Sequence, residues 1–195
     1  MRATDIEGVK NITISGRIAT GSTTLAKHLS ETLGWRHLEG GDIFWERVRS
    51  RLGLHVKDTH MRPDDEDKIF DEELKKMLSE DSHLILETKL AGFNAQGIPG
   101  VFKVLVVCQD EKGEDHMDIR IDRLVNREQQ SISSAKSEVI EREKNDIEKW
   151  RRMYGGGDPG WVYWDPKYYD LVVNTYDHNP EESLALVLDK MGYKG

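Results

Sequence analysis

Cysteine is almost absent from this chain: Cys108 stands alone among 195 residues. An internal disulfide is therefore impossible, and the fold must rest on packing, as suits a reducing compartment. Cys108 sits in an apolar run and reads as a buried small hydrophobe, not a nucleophile. Basic charge is in deficit, 28 Lys and Arg against 36 Asp and Glu, for a formal net charge of -8. That speaks against a general nucleic-acid-binding surface but leaves room for a small anionic substrate in a locally basic site. Long hydrophobic runs are missing: nothing approaches the roughly 18 residues needed to span a bilayer. The stretch Met1 to Lys10 is charged and lacks the apolar segment of a signal peptide. The expectation is a cytoplasmic protein with no nucleic-acid or membrane partner. The seven histidines show no metal-ligand spacing, and His55, His60 and His116 read as surface residues. Repeats and low-complexity linkers are also absent.

What is present is a polar but foldable domain, 37% hydrophobic and 33% charged, of a length that fits one unit. Lys10 to Ser15 is a β-branched run ending at a glycine and predicts a strand. From Ser22 the pattern turns helical, with Leu25, Leu29 and Leu33 on one face and Gly34 as the stop. Trp35 to Leu38 predicts a second strand, and Asp42 to Leu52 a helix. Asp58 to Asp81 is acidic and helical, with Ile69, Leu74, Met77 and Leu78 as its apolar face. His83 to Glu87 and Phe102 to Cys108 are apolar runs of the kind parallel sheets use. Met117 to Arg127 and Ala135 to Tyr154 predict charged helices, the latter broken by Gly155 to Gly160. Tyr169 to Asn174 predicts the last strand. Asn179-Pro180-Glu181-Glu182 starts a final helix reaching Met191, with a cap residue, proline at the first position and glutamate in the first turn. Strands alternating with helices imply a mostly parallel sheet with helical crossovers.

Gly16-Arg17-Ile18-Ala19-Thr20-Gly21-Ser22-Thr23 has the spacing of a P-loop, between a strand and a helix where such a loop must lie. Its glycines let backbone N–H groups point at a phosphate, and the helix N-terminus adds positive potential. Thr23 can offer a hydroxyl to Mg²⁺. Ser22 stands where most P-loops carry the lysine that neutralises phosphate, so another cation must serve. Arg17 or arginines further along the chain are candidates.

Several segments in shared order then resemble the archaeal-type cytidylate kinases, a branch of the nucleoside monophosphate kinases. They are Ile12 to Gly16, the Ser22-Thr23-Thr24 loop end, Gly41-Asp42-Ile43-Phe44, Leu86 to Gly92, Ile140 to Glu143 with Asp146 and Tyr154-Gly155, and Tyr169 to Thr175. The resemblance runs from Asn11 to about Leu188. It implies an α/β P-loop fold: a three-layer α/β/α core with a five-stranded parallel sheet, made of residues 11–38, 83–124 and 168–192. It implies a monophosphate-binding insertion at 39–82, a lid at 125–167 and a monomer. It implies transfer of the γ-phosphoryl group of ATP to CMP or dCMP, with Mg²⁺ as cofactor. Gly16 to Thr24 would hold ATP. Arg120, Arg123 and Arg127 share one helix face, and the resemblance assigns Arg123, Arg127 and Arg142 to charge stabilisation.

Departures from the family fall on the acceptor side. Its monophosphate-gripping arginine is Trp45 here, with Arg47 two residues on. Two further arginines are Lys89 and Lys149. A lysine offers a point charge where an arginine offers a planar fork. Trp45 reads equally as a core aromatic or as a stacking surface for a ring. Asp42, Lys89, Asp146 and Lys149, with Arg47 and Trp45, are the expected acceptor-binding set. Trp161 and Trp164 could close over a ligand or pack the lid. Two alternatives stay open: a paralogous kinase with another acceptor, and a nucleotide-binding module without turnover.

Overall fold

The computed structural model describes residues 3–54, 61–129 and 131–194. His55, His60 and the start of the helix expected from Asp58 lie outside the described residues. The chain forms β1 (Asn11–Gly16), α1 (Ser22–Leu33), β2 (Arg36–Glu39), α2 (Gly40–Leu52), α3 (Asp64–Glu80), β3 (Leu84–Glu87), α4 (Ala91–Asn94) and β4 (Val101–Val107). It continues through α5 (Met117–Glu128), α6 (Ile132–Lys136), a π-helical stretch Ser137–Arg142, α7 (Glu143–Met153), a 3-10 turn Pro166–Tyr168, β5 (Leu171–Asn174) and α8 (Pro180–Lys190).

The five strands form one sheet in the order β2-β3-β1-β4-β5. Every pairing is parallel. β1 is central, with Ile12 opposite Ile85 on β3 and Phe102 on β4. Its alternation explains the two layers around it. Ile12 and Ile14 turn to a core built with Leu25, Leu29 and Leu33 of α1 and Val187 of α8. On the opposite face Leu84 and Leu86 pack with Phe44, Val48, Phe70, Leu74 and Leu78 of α2 and α3. Asn11, Thr13 and Ser15 alternate with Ile12 and Ile14, buried and polar; Ser15 accepts from the Gly92 amide at 2.9 Å, while the Thr13 hydroxyl has no partner among the described residues. Asn11 donates to the carbonyls of Leu78 (3.0 Å) and Asp81 (2.8 Å) and accepts from the Leu84 amide.

Observed elements match the expected ones in type, and their ends shift by at most three residues except at α3, which begins at Asp64 where Asp58 is expected; α4 and the 3-10 turn Pro166–Tyr168 are unforeseen additions. Two corrections are larger. Ile69 is 44% exposed and does not belong to the apolar face of α3. The 3.6-residue period instead buries Phe70, Leu74 and Leu78 together with Glu66, Asp67 and Asp71. The helix expected over Ala135 to Tyr154 is three pieces, because a π-helical stretch interrupts it just before α7. The last helix starts as read: Asn179 and Glu182 form a capping box with Pro180 at the first position. His116 is only partly on the surface, since its ring stacks on Tyr176 with centroids 4.4 Å apart. Cys108 is fully buried and free. Among the described residues no helix is long and apolar enough to cross a membrane.

Candidate active site

The carboxyl ends of the strands meet at a cleft of about 680 Å³, bordered by the β1–α1 loop on one side and by α2, α3 and α7 on the other. Parallel sheets place ligand sites there because helix N-termini and loops converge at that edge. Gly16, Arg17, Ile18, Ala19, Gly21, Ser22, Thr23 and Thr24 line the cleft; Thr20 is buried beneath them. Gly21 holds a left-handed backbone (φ 104°) that turns the chain into α1. A side chain there would be strained.

At the foot of this loop stands Glu87, the last residue of β3. Its Oε1 accepts from the hydroxyls of Thr23 (2.6 Å) and Ser22 (3.0 Å), and its Oε2 lies 3.1 Å from His37 Nε2. Burial, then Glu87 and Asp42, raise the pKa of nearby Glu39. A hydroxyl beside a carboxylate fits Mg²⁺, which takes few protein ligands and completes its shell with water and phosphate oxygens, while the N-terminus of α1 next to them suits the phosphates themselves.

Arg17, a candidate for the place of the missing lysine, borders the cleft with its charge engaged by two acids. Its guanidinium is held by Glu143 and by Asp115 (3.2 Å) and stacks 4.6 Å from the Trp164 ring. Burial weighs against its charge, yet the two acids prevail and its pKa is raised. Arg120 joins the same network through Glu143 (3.0 Å) and is fully buried, with burial lowering its pKa. The expected catalytic arginines separate. Arg127 and Arg142 border the cleft. Arg142 ends the π-helical stretch, 3.6 Å from Glu138. Arg123 borders an adjacent cavity of about 480 Å³ and donates to Thr175 Oγ1 and Thr175 O, each at 2.9 Å. It braces the P-loop against the end of β5, because its side chain leaves α5 on the side of that seam.

On the acceptor side, Asp42 and Trp45 border the cleft. Lys89 Nζ pairs with Asp146 Oδ2 at 2.6 Å, and both border the cleft. Burial lowers the pKa of Lys89, opposed by Asp146 and reinforced by Arg142. Two expected residues lie elsewhere. Arg47 pairs with Glu73 at 2.7 Å on the outer side of α2 and is not among the cleft-lining residues. Lys149 is buried and donates to Asp67 Oδ2 (2.6 Å) and to the Arg62 carbonyl (2.8 Å), so it faces the base of α3. Trp161 packs edge-on against Phe93 at 5.2 Å, a filler of the cluster that also holds Trp150 and Tyr163.

Sequence reasoning missed Arg62, Asp67, Asp71 and the role of Glu87. Arg62 lies against Phe44 and Trp45 and binds Asp67 through two nitrogens. Asp71 accepts from the Tyr154 hydroxyl at 2.5 Å, and burial pushes its carboxyl up to about 6. A signal existed: Asp67 and Asp71 recur at the spacing of the buried face of α3, where an aspartate must have a partner.

Comparison with known proteins fits this geometry. A family described as an AAA domain matches residues 16–141. The cytidylate kinase of Haloarcula marismortui is 31% identical over 180 residues, covering 91% of this chain and 86% of that protein. The chain belongs to the cytidylate kinase family. The cytidylate kinase of Methanopyrus kandleri is 29% identical and covers 90% of each chain. Among solved structures, shikimate kinase from Acinetobacter baumannii in complex with shikimate superposes with a TM-score of 0.57 at 13% identity, over 95% of each chain. An uncharacterized protein from Eubacterium ventriosum does so with a TM-score of 0.65 at 13% identity, over 95% of this chain and 99% of that one. These two likenesses establish the P-loop α/β fold. Membership of the family makes the chain an ATP-dependent phosphotransferase.

Proposed function

We propose that this chain transfers the γ-phosphoryl group of ATP to CMP or dCMP, with Mg²⁺ as cofactor. One observation carries the reading. The Thr23–Glu87 pair at the P-loop and the Lys89–Asp146 pair on the acceptor side border a single cleft, so two anions bound there would face each other. Backbone N–H groups of Gly16 to Thr24 hold the donor phosphates. Thr23 and Glu87 would hold Mg²⁺, which would supply positive charge against the donor phosphates. Arg127 and Arg142 stabilise the transferring group. Its charge spreads over equatorial oxygens in the transition state, so preplaced cations lower the barrier there more than in the ground state. Asp42, Lys89 and Asp146 orient the acceptor. Arg123 acts at one remove, fixing the loop that carries the donor. Residues 39–82 form the acceptor-binding insertion and 125–167 the lid.

The testing experiment is a coupled ADP-release assay with ATP and Mg²⁺ against CMP, dCMP, UMP, AMP and GMP. Turnover confined to CMP and dCMP is expected. A kinase with another acceptor is the second reading, favoured by the aromatic Trp45 and by the side chains of Arg47 and Lys149 being turned to acids outside the expected site. Protein that binds ATP but turns over none of the five monophosphates would favour it.

A further inference from the structure

We propose that Arg62 is the ligand for the phosphate of the acceptor, an assignment that rests on the acceptor being a nucleoside monophosphate. Arg62 borders the acceptor half of the cleft although its side chain is only 2% exposed. Two rings hold its guanidinium, Phe44 at 4.7 Å and Trp45 at 4.9 Å from the ring centroids. Its Nε and Nη2 bind the two oxygens of Asp67 at 2.8 and 2.6 Å, which fixes the plane of the fork. Asp67 has a second cation, Lys149, at 2.6 Å. Two cations therefore share one buried carboxylate, and the trio carries an excess positive charge. The next acid, Asp64, lies 3.7 Å from Lys149 and is 42% exposed, so water screens it. Asp71, one turn further along α3, is engaged by the Tyr154 hydroxyl at 2.5 Å. Uncompensated charge in an apolar wall is costly, and an anion entering the cleft removes that cost. The other acceptor-side cation, Lys89, is already matched by Asp146. Trp45 thereby gains a purpose: it is the platform that aims the arginine.

The assignment is tested by equilibrium titration of CMP, of cytidine and of an ATP analogue into four proteins. These are the wild type, Arg62→Lys, the double variant Arg62→Gln/Asp67→Asn, and Arg49→Gln as a control for charge on α2. The double variant removes one pair of opposite charges and leaves Lys149 with the backbone carbonyl of residue 62 (2.8 Å) and Asp64 (3.7 Å); melting temperatures verify that the fold bears this. CMP affinity should fall roughly 10-fold in Arg62→Lys and roughly 100-fold in the double variant, as loss of a charged hydrogen bond implies. Cytidine and ATP-analogue affinities should hold, as should everything in Arg49→Gln. CMP affinity retained within about two-fold in both Arg62 variants, or CMP and cytidine weakened equally, would overturn the assignment. A wild type that binds the ATP analogue but no nucleoside monophosphate would instead overturn the substrate reading, and Arg62 with it.

Discussion

At the scale of single residues, the site is governed by which charges are matched and which are held in reserve. Thr23 is the simplest case. Its hydroxyl touches Glu87 and serves nothing in the core. Thr23→Val should keep the melting temperature within a few degrees and lower kcat roughly 100-fold at saturating Mg²⁺, an effect of the size seen when one charge-stabilising group is lost. A variant with unchanged turnover would remove Thr23 from the site. Asp71 makes a prediction about pH. Its folded pKa, about 6, lies above the ordinary 3.8. The folded chain therefore holds this proton more tightly than the unfolded chain does. The resulting stabilisation is fully present below about pH 4 and is lost as pH rises toward 6, about 3 kcal/mol at most. Urea denaturation of Asp71→Asn across pH 4 to 6 should show a flatter dependence than the wild type. Parallel curves would mean that Asp71 is ionised like an ordinary carboxylate.

At the scale of elements, the π-helical stretch before α7 separates what sequence reveals from what it hides. The five strands and most helices were legible because apolar residues recur at periods of two or 3.6, and because Gly34 and the Asn179 cap mark ends chemically. The P-loop was legible because its glycines obey a spacing imposed by phosphate. The π-helix was not, since one inserted residue leaves the polar and apolar alternation of a charged helix almost unchanged. Arg47 and Lys149 were misplaced for a related reason: position along a helix tells which face a cation shares, but not whether an acid on another element claims it. Deleting Ile140, which is 45% exposed, should regularise the stretch while α6 and α7 keep their phase. Circular dichroism should be unchanged. Arg142 would be re-aimed, and turnover should fall roughly 100-fold. Undiminished turnover would show that the bulge does not place Arg142.

At the scale of the whole molecule, Glu143 joins parts far apart in sequence. It accepts from Arg17 of the P-loop and from Arg120 of α5. Glu143→Ala leaves the Arg120 guanidinium fully buried beside Asp115 alone, at 3.4 Å. Loss of one partner from a buried ion network costs about 3–5 kcal/mol. Chemical denaturation should show a loss of that size, whereas a loss below about 1 kcal/mol would mean that water reaches the site. The strand order carries a different kind of consequence. β1 and its loop form a border, with β3 and β2 on the acceptor side and β4 and β5 on the side of the second cavity. Changes to α2 and α3 can rebuild one bank without touching the other. A lineage can thus retain its energy source while exploring new chemistry to spend it on, and substitutions such as Trp45 and Lys89 are where such exploration leaves its record.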